Sequence, residues 1–504
     1  MKKLLCATYE GLDAKVVEVE STLTKGLPSF SIVGMASTDI TESKERVKSA
    51  LLSNEFSFPP KRITFSLAPS ELSKSGSQFD LSMATLILLH GDESELCEWF
   101  VFGELGLDGR VKENVQLYPL ILSLANQKLI TKAIVPFESL DKLSKIPDVS
   151  FYGVKSLNEA VDALKNQETL SPSMEQSSIE SPFYEMDGEK YYYTKEYEED
   201  FLDVKGQEVA KRAALIAAAG FHNIIFEGSP GCGKSMIASR LRYILPPMSN
   251  ADILEKAKLE ILDGVEPSFT PRRAMQAVHH TSTSASVFGG GSHKAKIGEV
   301  GLAHNGILFF DELPHFSKTV LESLREPMQD KKIRISRVNS KVSYPAKFLF
   351  IGAMNPCPCG NLLDERKECR CNELEIQKYK NRLSDPFLDR IDLNIVMQNV
   401  SSTDRPSLSS LEMHEMVVKA HMRAKKRGQH EFNANLSDKE IEEYCFLSKE
   451  VQSILDMAIS RFTLSFRSIK KVQKVARTIA DLERSERISK AHLLEALSYR
   501  RRER

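Results

Sequence analysis

The 504-residue sequence has little that would mark a membrane, secreted or repeat protein. No apolar run approaches the roughly 18–20 residues that a membrane-spanning helix needs. The longest, Leu81 to Leu89, is nine residues long and carries Ser82 and Thr85. The opening MKKLLCATYEGLD has two lysines but only a short apolar stretch before Tyr9 and Glu10, so no export signal is expected and the cytoplasm is the expected location. Eight cysteines without such a signal argue against a disulfide framework. No tandem repeat recurs at a fixed period, which excludes a solenoid. There is one Trp, and 68 Lys+Arg against 69 Asp+Glu leave a net charge of −1, so nothing global points to a polyanionic partner.

What is present is distributed unevenly. Residues 166–203 hold eleven acidic residues and two lysines, whereas 461–504 hold thirteen basic and five acidic residues. A chain this long exceeds a single core and is expected to form two to four domains. Residues 1–165 read as mixed α/β: KVVEVESTL and KRITFSLAP carry strand-like β-branched runs, and ESKERVKSALL and FDLSMATLILL have helical spacing. Residues 166–199 lose apolar periodicity and gain Ser, Pro and acidic residues, reading either as a linker or as a long ordered surface loop.

From residue 200 to 400 short, almost wholly apolar strands (HNIIFEG, GILFFDEL, AKFLFIGAMN) alternate with helices such as GQEVAKRAALIAAA and SMIASRLRYIL. That is the pattern of a parallel sheet covered on both faces. Residues 401–504 contain no further strands and read as successive helices, with Ser437 and Ser489 placed as caps. The fold class expected is α/β, with a mixed N-terminal domain, a parallel-sheet core and a C-terminal helical lid.

Gly228-Ser229-Pro230-Gly231-Cys232-Gly233-Lys234-Ser235 matches G-x-x-x-x-G-K-[ST] between a buried strand and a helix. The glycines let backbone N–H groups wrap phosphates at a helix N-terminus. Lys234 would neutralise those phosphates and Ser235 would ligate magnesium. Some seventy-five residues on, Gly306-Ile307-Leu308-Phe309-Phe310 leads into Asp311 and Glu312. Asp311 would hold the magnesium shell and Glu312 would polarise an attacking water. A third strand ends in Asn355, an amide able to orient that water. In Leu388-Asp389-Arg390-Ile391-Asp392 the arginine is either a structural ion-pair partner or a finger acting on a neighbouring subunit's nucleotide. These residues together point to ATP hydrolysis with magnesium.

Cys357, Cys359, Cys369 and Cys371 form a C-x-C…C-x-C set, either a closed zinc site or reduced thiols in a compact loop. Lys331, Lys332, Arg334, Arg337 and Lys341 lie on a strand-like pair before Asn355, and His293, Lys294 and Lys296 follow a glycine run. Each group is either a grip on phosphates or a solvated charged face. The C-terminal SYRRRER reads as either nonspecific attraction or a frayed basic tail.

GSPGCGKS, ILFFDE, Asn355 and LDRID resemble the magnesium-chelatase branch of the AAA+ ATPases. VKGQEVAKRAALIAAAGFHNIIFEG, AVHHTSTSASVFGGGS, LAHNGILFFDELPHF, AMNPCPCG, NRLSDPFLDRIDL and VARTIADL extend this to a resemblance to the ComM/YifB family, spanning nearly the whole chain. The resemblance implies a bacterial ring motor, commonly a hexamer, linked to DNA branch migration during uptake and recombination. It makes Lys234 and Ser235 Walker A contacts, Asp311 and Glu312 Walker B, Asn355 sensor 1, Arg390 the arginine finger and Arg467 sensor 2.

Residues 1–165 resemble a Lon-protease-like domain, through FGELGLDGRV and Lys74-Ser75-Gly76-Ser77. Here Gln78 stands at the nucleophile's place and no lysine follows Val111 at the dyad's spacing, so Ser77 and Lys112 would have to substitute from shifted positions. Four readings follow: a DNA motor, a metal-insertion ATPase, an ATP-dependent protease and a nonenzymatic DNA scaffold.

Overall fold

The computed structural model describes residues 2–92, 96, 98–167, 171–290, 296–336, 341–401, 403–462 and 465–500. They fall into two compact units. One comprises 1–179 with 257–268 and 336–342, the other 180–256, 269–335 and 343–504.

The first unit is built on a seven-stranded mixed sheet in the order Ser29–Val33, Arg62–Ala68, Asp13–Thr24, Lys2–Glu10, Phe100–Val101, Lys132–Pro136, Ser150–Val154. Its long strands alternate buried and exposed side chains, the pattern of a sheet with one covered face. The helix Asp80–Leu88 is buried along nearly its whole length, which explains why its sequence is apolar all round.

The second unit carries a five-stranded parallel sheet: β1 Ile224–Gly228, β2 Met275–Val278, β3 Ile307–Phe310, β4 Leu349–Met354 and β5 Leu393–Met397, in the order β2-β3-β4-β1-β5. Successive residues face opposite cores. Ile224, Phe226, Ile307, Phe309, Leu349 and Ile351 join one apolar cluster, while Ile225, Leu308, Phe310 and Phe350 join the other. Burial on both faces is why these strands read as unbroken apolar runs. Each such side chain contributes about 1.5–3 kcal/mol through burial.

The first cluster continues through helix α1 Glu208–Gly220 into the C-terminal helices. Apart from α2 Lys234–Leu241 and α3 Glu373–Lys380, which belong to the core, these are α4 Ser410–Lys426, α5 Asp438–Tyr444, α6 Lys449–Phe462, α7 Phe466–Leu482 and α8 Lys490–Ser498. Ser437 and Ser489 cap α5 and α8 as their positions suggested, each in a capping box. No helix among the described residues is long and apolar enough to cross a membrane.

The sequence reading missed the helix Asn250–Asp263 and several short strands. The acidic stretch contains a hairpin, Phe183–Met186 with Glu189–Tyr192, whose second strand pairs with Met248–Ser249. Tyr184 of this hairpin and Tyr197 beyond it hydrogen-bond His421 and His414 of α4, respectively. Strand β2 is four residues long and only Val278 in it is buried.

Candidate functional site

Strand β1 ends at Gly228 and α2 starts at Lys234, so the intervening turn lies at the C-terminal edge of the sheet. Gly233 adopts φ +97°, a left-handed conformation that disfavours any side chain and lets the turn close onto the helix. Cys232 is buried beneath it. The Lys234 ammonium donates to Gly228 O at 2.6 Å, Ser229 O at 3.0 Å and Asn355 Oδ1 at 3.2 Å. Burial holds its pKa below the ordinary lysine value, against the opposing pull of Cys232 and Asp311. The Ser235 hydroxyl donates to Asp311 Oδ2 at 2.9 Å. Strands β1, β3 and β4 thus bring Lys234, Ser235, Asp311 and Asn355 together.

Glu312 follows Asp311 in a left-handed conformation, φ +50°, with its backbone N–H donating to Asp311 Oδ1 at 2.8 Å. That conformation is costly for a residue with a side chain, and is a reason to look for function here. Its carboxylate lies 3.4 Å from Nδ1 of His280, just beyond β2. His280 was missed as a site residue, and the only signal for it was its place in the AVHHTSTSASVFGGGS block. Gln207 was missed too. From the VKGQ turn before α1 its side-chain amide donates to Cys232 O at 3.2 Å and Gln398 O at 2.5 Å, tying the phosphate turn to the end of β5.

Hard oxygen donors suit magnesium, and the Ser235 hydroxyl and the Asp311 carboxylate supply them side by side. With a positive-φ glycine turn at a helix N-terminus and an ammonium beside it, the residues fit a magnesium-bound nucleoside triphosphate.

Arg390 lies elsewhere. In the LDRID segment it immediately precedes β5, and Asn223, at the start of β1, donates its side-chain amide to Arg390 O at 3.1 Å. Asn223 also accepts from Phe350 N at 3.0 Å, and its own N–H donates to Asp392 Oδ2 at 2.9 Å. Because the strands are parallel, Arg390 sits at the N-terminal edge of the sheet and the phosphate turn at the opposite edge. Five residues of strand, about 16 Å, separate the two. The ion-pair alternative is not what holds Arg390: its guanidinium donates to Arg325 O at 3.0 Å, Pro386 O at 2.5 Å and Gln329 Oε1 at 2.9 Å. Burial, with Arg325 and Arg467 nearby, lowers its pKa below the ordinary arginine value. Arg467, at the start of α7, pairs with Asp389 at 3.2 Å. Both arginines line an 830 Å³ cleft with Asp392, Lys470, Lys471 and Lys474.

The four cysteines converge. Cys357, Cys359, Cys369 and Cys371 place all four sulfurs within 4.8 Å of one another. The basic residues divide. Lys332 and Arg334 are exposed, alternating with Ile333 and Ile335 on the strand Lys332–Ser336, which forms a two-stranded sheet with Lys341–Pro345. Lys331 instead turns to Met328 O at 2.8 Å, and burial pushes its pKa down to about 8. Lys296 is exposed on a short strand paired with Gly289–Gly290. His293, Lys294, Arg337 and the last four residues of the basic tail lie outside the described residues. Arg500 is engaged by Ile391 O and Ser468 Oγ.

In the first unit Ser77 and Lys112 do not form a dyad. The Ser77 hydroxyl bonds the Glu104 carboxylate and accepts from Asn114 at 3.3 Å, while Lys112 is exposed. Lys74 is buried with its ammonium on Pro69 O.

A phosphate turn, an apolar strand ending in Asp-Glu, an amide-ended third strand and a helical lid on a parallel sheet define an AAA+ core of the magnesium-chelatase type. Comparison with known families agrees: residues 200–405 match the model for magnesium chelatase, subunit ChlI, residues 19–139 match another model for subunit ChlI of Mg-chelatase, and residues 407–500 match the ChlI C-terminal model. Among curated proteins the chain is 37% identical to competence protein ComM of Haemophilus influenzae over 501 residues, 97% of this chain and 95% of that protein. It is 36% identical to YifB of Salmonella typhimurium and 34% identical to YifB of Escherichia coli, with the same two coverages in each case. The chain belongs to the ComM/YifB family of magnesium-chelatase-like AAA+ proteins.

Proposed function

We propose that this protein is an ATP-driven motor that works as a homo-oligomeric ring, a hexamer, on single-stranded or branched DNA, as a branch-migration helicase serving recombination or DNA uptake. The observation that carries the ring is the place of Arg390. An arginine about 16 Å along the strands from its own phosphate turn cannot reach that turn's nucleotide, but it can serve a neighbour's. Arg467 opens on the same cleft and would act with it.

Within one site Lys234 binds the triphosphate, and Ser235 and Asp311 hold the magnesium. When bound, magnesium neutralises charge that develops on the phosphates. Glu312 accepts the proton of the attacking water, His280 positions that carboxylate, and Asn355 orients the water. DNA as the partner is supported by the exposed face of Lys332 and Arg334, with Lys296, and by the competence role in the name of the ComM relative. Contacts of this kind grip phosphates without reading sequence.

In domain terms the reading is a Lon-like domain at 1–165 without protease activity, an acidic connecting segment at 166–199, an ATPase core at 200–400 with a cysteine insertion at 356–372, and a lid at 401–504. The cysteine insertion binds structural zinc. The ChlI matches favour a second reading, a metal-insertion ATPase.

The test is ATP turnover with no addition, with single-stranded DNA, with four-way DNA and with casein, together with branch movement. The expected result is stimulation by DNA that weakens steeply with salt. Turnover indifferent to DNA supports the metal-insertion reading, and stimulation by casein alone a protease. Glu312→Gln is expected to keep ATP binding and assembly while turnover drops about 100-fold; undiminished turnover removes Glu312 from its role.

A further inference from the structure

We propose that the cysteine insertion is a zinc-dependent brace of the phosphate turn, so that metal held by Cys357, Cys359, Cys369 and Cys371 sets the affinity of the nucleotide site. This rests on the zinc reading above and adds a consequence for ATP.

The sulfur geometry suits zinc. In a tetrahedral site with Zn–S near 2.3 Å the sulfurs stand about 3.8 Å apart. Here Cys357 and Cys359 are separated by 3.4 Å, Cys357 and Cys369 by 3.7 Å, and Cys359 and Cys369 by 3.6 Å. Cys371 completes the set and accepts the backbone N–H of Cys359 at 3.4 Å. Apart from the sulfurs, the loop is held by hydrogen bonds centred on Asp364, which accepts from Asn399 at 2.7 Å and from the Arg366 N–H at 2.9 Å. Residues 361–371 are in no helix or strand, and none of them is buried. With so little apolar burial, the segment would depend on bound metal for much of its shape, as small zinc modules do.

This loop is joined to the nucleotide site at three points. Asn355, two residues before Cys357, accepts from the Lys234 ammonium. Gly360, held in the first cysteine turn by its N–H on Cys357 O at 3.0 Å, lies against the phosphate turn. A Cβ built on Gly360 would come within 2.7 Å of Pro230 Cδ, and φ is +81° there, so the contact demands glycine twice over. Beyond Cys371, α3 starts at a capping box on Asn372 and ends with Lys380 paired to Glu227 of β1 at 3.2 Å. The metal site therefore lies between the amide that touches Lys234 and the helix that pairs with the strand beneath the turn. Loss of metal frees Gly360 from Pro230 and Asn355 from Lys234 together.

The experiment uses the full-length protein, with zinc content measured by mass spectrometry and affinity for a fluorescent ATP analogue measured by titration with magnesium. About one zinc per chain is expected for the wild type. Cys369→Ser combined with Cys371→Ser is expected to lose the zinc and weaken nucleotide binding about tenfold or more. Gly360→Ala is expected to keep its zinc and weaken binding to a similar degree, which keeps the test decisive if the double variant does not fold. No zinc in the wild type overturns the zinc reading itself. Zinc lost without change in nucleotide affinity, or a Gly360→Ala protein that binds nucleotide like the wild type, overturns the brace while leaving the zinc site standing.

Discussion

Lys234, Ser235, Asp311 and Asn355 turn their polar atoms toward one another, whereas Arg390 and Arg467 are held by groups with no part in phosphate chemistry. The first cluster sits at the C-terminal edge of the parallel sheet, where open α/β sheets bind ligands. The second sits at the N-terminal edge, in a cleft where Arg467, Lys470 and Lys471 pair with Asp389, Asp438 and Asp392. On the proposed ring reading, the contrast means that one chain carries both parts of a phosphate site, at opposite ends of the same strands.

The largest test of that contrast is Lys234→Ala. Its expected outcome is loss of measurable ATP binding, with turnover at least about 1,000-fold lower, checked by titration and phosphate release. Arg390→Ala sharpens the comparison. Turnover is expected to fall about 1,000-fold with ATP binding largely retained. Mixing this variant with Lys234→Ala should restore part of the activity, because each chain supplies the half the other lacks. No recovery in mixed assemblies that demonstrably form would break the division between the two sites.

The smallest effect concerns a buried histidine beside Asp392 of the cleft. His222 is fully buried, with Nε2 2.7 Å from Thr478 Oγ1 and Nδ1 3.9 Å from Asp392. Burial lowers its pKa to about 4, although Asp392 opposes the shift. The unfolded chain binds this proton from about pH 6.5 downward and the folded chain does not until about pH 4. Stability therefore falls as pH drops through that window, by about 2 kcal/mol at pH 5 from this residue alone. His222→Gln is expected to make urea midpoints measured at pH 7 and pH 5 differ by correspondingly less.

Much of this was legible in the sequence because the relevant signals are local. An apolar run such as ILFF buried on both faces, a glycine turn between strand and helix, and a serine three residues before a glutamate each carry their structural meaning within a few positions. Where meaning depends on distant partners the sequence was mute. Strand β2 is MQAV, too short and too exposed to stand out, and it is a strand because β3 pairs with it in register. The Tyr184–Tyr191 hairpin sits in an acidic stretch with little periodicity, and its ordering comes from Met248–Ser249 and α4. Arg390 read equally well as an ion-pair partner, since its neighbours in the sequence are carboxylates. Arg273 had no signal at all, yet it is buried and donates to the carbonyls of Pro246, Asn305 and Pro247.

Asn223 links the two ends. Its side chain holds the backbone of Arg390 on one side and the start of β4 on the other, while its own strand runs directly into the phosphate turn and β4 runs directly into Asn355. Two strands paired on both sides and with a common footing would act as pushrods in the proposed ring: a displacement of the phosphate turn or of Asn355 along the strand axis would be felt at Arg390. If Arg390 serves a neighbour as proposed, each subunit would report the state of its own nucleotide through that arginine, and the firing order around a ring would be carried lengthwise through β1 and β4.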